Sequence, residues 1–425
     1  MRTFRAGAAA ALCSALYVVG APVAASDDAA LDLKPETEAP AQAAQRPALR
    51  VFGEMAAGRL TQRYGLGTED TRRASLDLVW DVKVGSQWRA VLSDRLDDIH
   101  PVESGGRSTL NSLREAFVGW QGEDGRAGVD LGRVNYRNGP AYGFNPTDYF
   151  RDGASRAVTT ADPLALRENR LGTVMLRGQW LWQGGSATVA LAPKLRDGPS
   201  RESFSIDLGA TNHADRALLA VGLQPSDRIG LQAFAFHEQG KGLQLGANGT
   251  MLFGDATVGF VEWSGGRDTE LLGAALGPSP RVISRHRAAA GLTHTTASKL
   301  SLTAEWQYNG FALDKAQWQA AVATFGIEAM GAYLYEVQRR QDTASRQAAM
   351  LYLSQKDAGI KNLDLTGLVR YNADDRSRFL WVEARYHFTR ADLALQWQAN
   401  QGGALTEYGA QTGRTLVQVL AAFYF

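Results

Sequence analysis

The sequence predicts an all-β fold: a transmembrane antiparallel up-and-down β-barrel of about eighteen strands, with one helical loop insertion. Three observations carry this expectation. Polar and apolar residues alternate with period two from residue 49 to the end, an export signal stands at the N-terminus, and the last segment alternates up to a final phenylalanine.

The export signal comes first in the chain. Arg2 and Arg5 precede an apolar stretch from Ala6 to Val19, and Val23, Ala24 and Ala25 place small residues where a signal peptidase cuts, after Ala25. Cys13, the single cysteine, leaves with residues 1–25, and the formal charge moves from +1 to −1. With no second cysteine the chain has no intramolecular disulfide framework and no cysteine-based zinc site. Residues 26–48 are rich in Ala and Pro, net acidic and poor in aromatics, which predicts a disordered exported segment.

The body, residues 49–425, reads in twos. Ser75–Val84 sets Leu76, Leu78, Trp80, Val82 and Val84 against Ser75, Asp77, Asp81 and Lys83. Ser203–Thr211 sets Phe204, Ile206, Leu208 and Ala210 against Ser203, Ser205, Asp207 and Thr211. Leu300–Asn309 and Arg378–Phe388 repeat the pattern. One apolar face per strand requires an apolar neighbour, either a second sheet or lipid. Lipid is the choice because the polar faces carry charges and amides repeatedly, as a wet lumen would. Aromatics also gather towards strand ends, at Trp80, Trp120, Trp180, Trp182, Trp263, Trp306, Tyr308, Tyr386 and Phe388. Mean hydropathy is −0.24. No apolar run after the N-terminus approaches the roughly 18 residues of a spanning helix. An alternating barrel averages to such a value, so the number does not exclude a membrane.

Counting strands gives about nineteen candidates, whereas single-chain bacterial barrels use even numbers with both ends on one side. Walking forward from Val51, the alternation of long connections and tight turns holds to about Lys194. Walking back from Phe425 it holds to about Gly254. The parities disagree between those points, so one segment there is miscounted. Eighteen is the expected number and sixteen the alternative.

Thr415–Phe425 alternates Val417, Val419, Ala421, Phe423 and Phe425. It resembles the closing strand of Gram-negative outer-membrane β-barrels, which implies recognition by the barrel-assembly machinery through Phe425. The partners expected from this are outer-membrane lipid, lipopolysaccharide and that machinery, with oligomerisation left open. The balance of 45 basic and 44 acidic residues argues against nucleic acid.

Two insertions interrupt the alternation on the external side. Residues 134–167 follow the fifth strand, and Arg137, Tyr142, Asn145, Asp148, Arg151 and Asp152 are the candidate constriction residues. Asn145-Pro146 and Asp148 favour a tight turn, and Gly139, Gly143 and Gly153 permit conformations other residues resist. The run Gly132-Arg133…Gly139…Asn145-Pro146-Thr147-Asp148-Tyr149-Phe150 resembles a segment of a group of uncharacterised proteobacterial outer-membrane barrels. The resemblance covers about twenty residues and implies a porin-like or export-associated channel, narrowed here. Residues 312–344 read as an amphipathic helix, with Trp318, Val322, Phe325, Ala329, Tyr333 and Val337 on one face.

The strand phases place nine positive residues in the lumen (Lys83, Arg89, Arg95, Arg177, Lys194, Arg285, Arg287, Arg370 and Arg385). Eight negative ones face them: Asp77, Asp81, Glu115, Asp207, Glu262, Glu305, Asp364 and Glu383. Of these, Arg177, Arg285, Arg287, Glu305, Arg370, Glu383 and Arg385 are the candidate lumen-facing site charges. A near-balance of sign argues against strong ion selectivity. Of the 45 basic residues 37 are arginine, suited to pairing with neighbouring carboxylates. No zinc-protease, nucleophile-elbow, phosphate-loop or calcium-loop pattern is present, so neither a metal nor a cofactor is expected. His387, beside Glu383 and Arg385, is the one histidine placed to join a hydrolase. The expected function is a non-enzymatic channel passing small or polymeric solutes. A barrel with a closed lumen for surface binding or anchoring is the alternative, and a barrel hydrolase comes third.

Overall fold

The structure, a computed structural model, describes residues 48–101, 107–277 and 280–425. The signal peptide and nearly all of the 26–48 segment lie outside the described residues.

Eighteen strands form one sheet in which each pairs antiparallel with both sequence neighbours, and the first closes on the last. The first six are β1 Leu49–Gln62, β2 Thr68–Val84, β3 Trp88–His100, β4 Thr109–Gln121, β5 Ala127–Val134 and β6 Thr173–Trp182. Then come β7 Gly185–Ala192, β8 Arg216–Ser226, β9 Ile229–Glu238, β10 Gly242–Phe253, β11 Thr257–Thr269 and β12 Val282–Thr295. The last are β13 Leu300–Asn309, β14 Gln347–Gln355, β15 Leu363–Asn372, β16 Arg378–His387, β17 Ala391–Gln401 and β18 Gly413–Tyr424. Closure is continuous: Phe52 pairs with Tyr424 at one end of the seam, and Gln62 with Gly413 at the other. A closed sheet leaves no strand edge, which is what a span through lipid requires.

Burial is inverted relative to a water-soluble sheet. Outward-facing Leu76, Trp80, Val189, Leu245, Trp306, Val382, Val419 and Phe423 are exposed. Inward-facing Asp77, Arg95, Glu262, Glu305 and Asn309 are buried. Trp80, Trp88, Trp180 and Trp182 stand towards the end with tight turns, and Trp263 and Trp306 towards the other. A single bulge between β3 and β4 opposes Ser93 to Glu115 and Asp94 to Leu113. The extra residue, Arg114, thereby turns inward beside Glu115 and donates to Asp77.

The miscounted segment is Ser203–Thr211. It is not a strand, and β7 passes to β8 through the 193–215 connection, which carries only the short helix α2 Leu208–Thr211. Asp207, at φ 47°, caps the turn, taking Ser200 N at 2.7 Å and Arg156 Nη1 at 2.6 Å. A Cβ on Gly209 would lie 1.8 Å from Gly198 O, so the fold-back depends on glycine. Phe204 and Ile206 are exposed not because they face lipid but because they sit on a loop. Lys194 and Asp207 therefore leave the set of strand-borne lumen charges, and Lys194 pairs with Asp197 at the rim.

The longest connections now all fall at one end of the barrel, although on that side β9 and β10 are joined by residues 239–241 alone. The connection at 135–172 contains α1 Pro163–Glu168, that at 270–281 contains α3 Leu271–Leu276, and that at 310–346 contains α4 Lys315–Arg340. The helix in the last insertion is present as expected, but its face is not continuous. Gly326 adopts φ 78° and ψ −177°, breaking α4 in two. Trp318, Tyr333 and Val337 are buried, whereas Phe325, just before the break, is exposed. An aspartate starts the helix: Asp314 accepts from Gln317 N at 2.8 Å while Gln317 reaches back to Asp314 N.

Candidate functional site

The 135–172 connection turns into the barrel rather than away from it. Gly132, at φ 134°, is where β5 leaves the regular pleat, and a Cβ there would lie 2.3 Å from Ala116 O. Arg133 next to it donates to Leu113 O at 2.9 Å and Asp207 O at 3.1 Å, fixing the exit. Val134, Tyr136, Tyr149 and Phe150 then pack on Met175, Leu218, Phe234 and Phe236 of the inner wall. Tyr149 stacks on Phe236 with ring centroids 4.6 Å apart.

Two carboxylates from the wall seat the tip. Glu262 of β11 takes Ala141 N at 2.6 Å, Thr147 N at 3.2 Å, Thr147 Oγ1 at 2.9 Å and Asn145 Nδ2 at 3.1 Å. Glu305 of β13 takes Tyr142 N at 2.6 Å, Gly143 N at 3.1 Å and Phe144 N at 3.0 Å. Gln307 steadies Glu305 at 2.7 Å. Both acids are buried, so their charge is solvated by the loop's amides instead of water. Glycine makes the approach feasible. A Cβ on Gly139 (φ 91°) would meet Glu262 Oε1 at 2.3 Å, and one on Gly143 would meet Met350 Sδ at 2.5 Å.

The loop reaches other parts of the wall as well. Tyr142 lies 5.4 Å from Tyr352 in a cluster with Met350, Leu368 and Trp381. Arg73 of β2 donates to Thr159 O, and Arg114 of β4 to Asn169 Oδ1 at 2.6 Å. Residues 139–169 thus touch the inner wall at β2 and β4 and along β11 to β16.

Above this layer, charges tie the loop to α4. Arg151 meets Asp342 at 2.6 Å, and Asp342 also meets Arg287 at 3.2 Å. Asp152 meets Arg339 at 2.5 Å and Lys241 at 3.5 Å. Lys241 also holds Glu238 at 2.9 Å and Asp268 at 3.3 Å, and Arg340 holds Glu336 at 2.5 Å. Burial works to raise the Asp152 carboxyl, but Arg339, Lys241 and Arg340 outweigh it and hold the group well below the usual carboxylate range. Burial likewise opposes the charge on Lys241, and Asp268, Glu238 and Asp152 push its pKa above the ordinary lysine value. Separately, α4 and the 373–377 and 402–412 connections flank a half-open cavity of about 510 Å³ lined by Leu313, Trp318, Val322, Ala323, Leu405 and Asp375.

Of the expected constriction residues, Tyr142 and Asn145 lie in the seated tip, and Arg151 and Asp152 in the charge layer. Asp148 is turned to Arg170, which meets it at 2.7 and 3.0 Å, so it is an internal strut. Arg137 is half-buried. Among the lumen charges, Arg177 pairs with Asp130 at 2.6 Å and Arg287 with Asp268 at 2.8 Å. Arg385 pairs with Glu383 at 2.7 Å, and Arg370 is half-buried. Arg285 is exposed, its Nη1 donating to Ser284 O at 3.0 Å. Both ring nitrogens of His387 face carboxylates, Asp392 at 2.9 Å and Asp364 at 3.2 Å, so no hydroxyl nucleophile occupies either position.

Sequence reasoning passed over Glu262 as a site residue, together with Lys241, Asp268, Glu336 and Asp342. For Glu262 a signal existed: it and Glu305 share one lumen phase on strands two apart. Their loop partners were not visible in the sequence.

No protein-family model matches the sequence, and no curated protein matches it. Solved structures do. Acinetobacter baumannii OccAB1 is 9% identical, with 89% of this chain and 96% of that chain covered at a TM-score of 0.55. A Rhodopseudomonas blastica porin triple mutant is 12% identical, with 89% and 100% covered at a TM-score of 0.43. The likeness to OccAB1 is one of fold.

Proposed function

We propose that this porin-like barrel, a closed antiparallel sheet of eighteen strands, is an outer-membrane channel for small solutes, narrowed by the 135–172 loop. The observation that carries the reading is the seating of residues 141–147 on Glu262 and Glu305, deep against the inner wall. A barrel of this strand number encloses an aqueous lumen, so a loop fixed inside it sets the passage. A narrowed passage favours small solutes over a polymer conduit. The pairing of lumen charges, as in Arg177 with Asp130 and Arg385 with Glu383, favours weak ion selectivity. The exposed outer belt of Leu, Val and Trp supports residence in lipid, with lipopolysaccharide around the loop end. Phe425 stands exposed at the closing seam, where the assembly machinery would read it. Catalysis has no support in the surroundings of His387.

The second reading is a closed barrel for surface binding, favoured by the loop's contacts with the wall at β2, β4 and β14. Planar-bilayer recording separates the two. The channel reading expects discrete conductance from the full protein and a larger one after deletion of residues 137–152. Absence of conductance in both forms would overturn it, and conductance in the deletion alone supports the closed barrel.

A further inference from the structure

Arg216 opens β8 at the end of the barrel that carries the long connections, and its side chain is buried. Its guanidinium lies over the ring of Phe150, 5.1 Å from the centroid. None of its three nitrogens has a hydrogen-bond partner among the described residues. It forms no ion pair among them either.

The acids around it are already taken. Glu238, its register partner on β9, accepts Lys241 at 2.9 Å. Asp152 accepts Arg339 at 2.5 Å and Lys241 at 3.5 Å. His213 approaches Ala210 O with Nδ1 at 3.2 Å and leaves Nε2 4.0 Å from Glu238. The charge layer beside Arg216 is balanced without it, since Asp152, Glu238, Asp268, Glu336 and Asp342 are each matched by a cation of that layer. Arg216 is the surplus positive charge. A buried guanidinium carries five N–H donors and a charge that burial penalises unless an anion compensates it. A water accepts at most two of these hydrogen bonds and supplies no charge.

We propose that Arg216 holds a resident small monovalent anion, of halide or formate size, between β8, the 150–153 turn of the constriction loop and the 193–215 connection. A Cβ on Gly153 would lie 2.1 Å from Ala210 O, so the turn that follows Phe150 and the connection that leads into Arg216 touch. The anion completes the surroundings of Arg216 and pins the constriction loop to its neighbour. The site stands independently of whether the barrel conducts.

Bromide is the probe. Crystals of the full-length protein grown in bromide should show an anomalous peak within hydrogen-bond distance of the Arg216 guanidinium. Arg216→Gln should lose it, and Arg216→Lys, which keeps the charge, should retain it. At constant ionic strength made up with gluconate, the melting temperature of the wild type should rise with bromide. In Arg216→Gln the bromide midpoint should move up by about tenfold or more. Formate replacing bromide in the melting series reports whether a carboxylate shares the site. A wild-type site holding only water, or Glu238 turned onto the guanidinium, overturns the proposal. So does an equal bromide response in the wild type and Arg216→Gln. Should Arg216→Gln not fold, the wild-type anomalous map and the Arg216→Lys crystal still decide.

Discussion

Glu262 accepts from the amide of Ala141, 121 residues away in the chain. Its full burial means that the loop, not water, supplies its hydrogen-bond donors. Glu262→Gln keeps the shape but turns an NH2 towards donors that one carboxylate oxygen accepts, so half of the seat is lost and the other half is weakened. It should cost about 1–3 kcal/mol of stability, read as a lower denaturation midpoint, together with noisier conductance as the tip unseats. Gly139→Ala should be worse, combining a positive φ with a Cβ 2.3 Å from Glu262 Oε1. The same measurements report it. A third residue gives a pH signature. Burial pushes the carboxyl of Glu407 up to about 7 from an ordinary 4.5, against the hydrogen bond from Asn372 and with help from Asp375. The folded state therefore binds this proton more tightly than the unfolded one. Its contribution favours folding at low pH and is lost as pH rises from about 4.5 to about 7, with no further change above. The protection factor of amides in the 402–412 segment, which divides out the intrinsic pH dependence of exchange, should rise on acidification through that window, and Glu407→Gln should flatten that rise. At this scale the sequence told less. The turn chemistry of Gly139, Asn145 and Pro146 was legible because it is local, whereas the partners of Asp148 and Glu262 are set by distant strands.

At the scale of elements, the 135–172 loop and the α4 connection are joined by charges, not by an apolar interface. Asp152–Arg339 on α4 and Arg151–Asp342 just after it are the ion pairs, beside hydrogen bonds to Arg339 O and Arg340 O, and both carboxylates lie largely out of water. Asp152→Asn removes one partner each from Arg339, which keeps Glu336, and Lys241, which keeps Glu238 and Asp268, and should destabilise by about 1–3 kcal/mol. Asp342→Asn should remove the ion-pair partner of Arg151, while Arg287 keeps Asp268 at 2.8 Å. Proteolysis should then cut the 135–172 loop faster than in the wild type, and unchanged cleavage would count against the coupling. The helix itself was legible from its period of three and four. Its face was not, because Gly326 breaks the register after Phe325 and the buried set resumes at Met330. Segment 203–211 misled for a related reason: four alternations also arise in a loop when a glycine fold-back, here Gly209 against Gly198, shapes it.

For the whole molecule, alternation revealed the barrel because lipid and lumen select opposite residue types on every strand. Parity did what no single segment could, locating the false strand between Lys194 and Gly254. A hydrogen-bonded barrel without edges should resist detergent until heated, so unboiled protein should migrate faster than boiled protein on a denaturing gel. Identical mobility would contradict closure.

The seating of the tip also imposes an order in time. The amides of residues 141–147 are made early in the chain, but their acceptors arrive with residues 262 and 305, on strands that come six and eight places after β5. The loop cannot dock until β5, β11 and β13 stand in one sheet, whichever end of the barrel is laid down first. A barrel caught without β11 or β13 would hold its 135–172 segment open to protease.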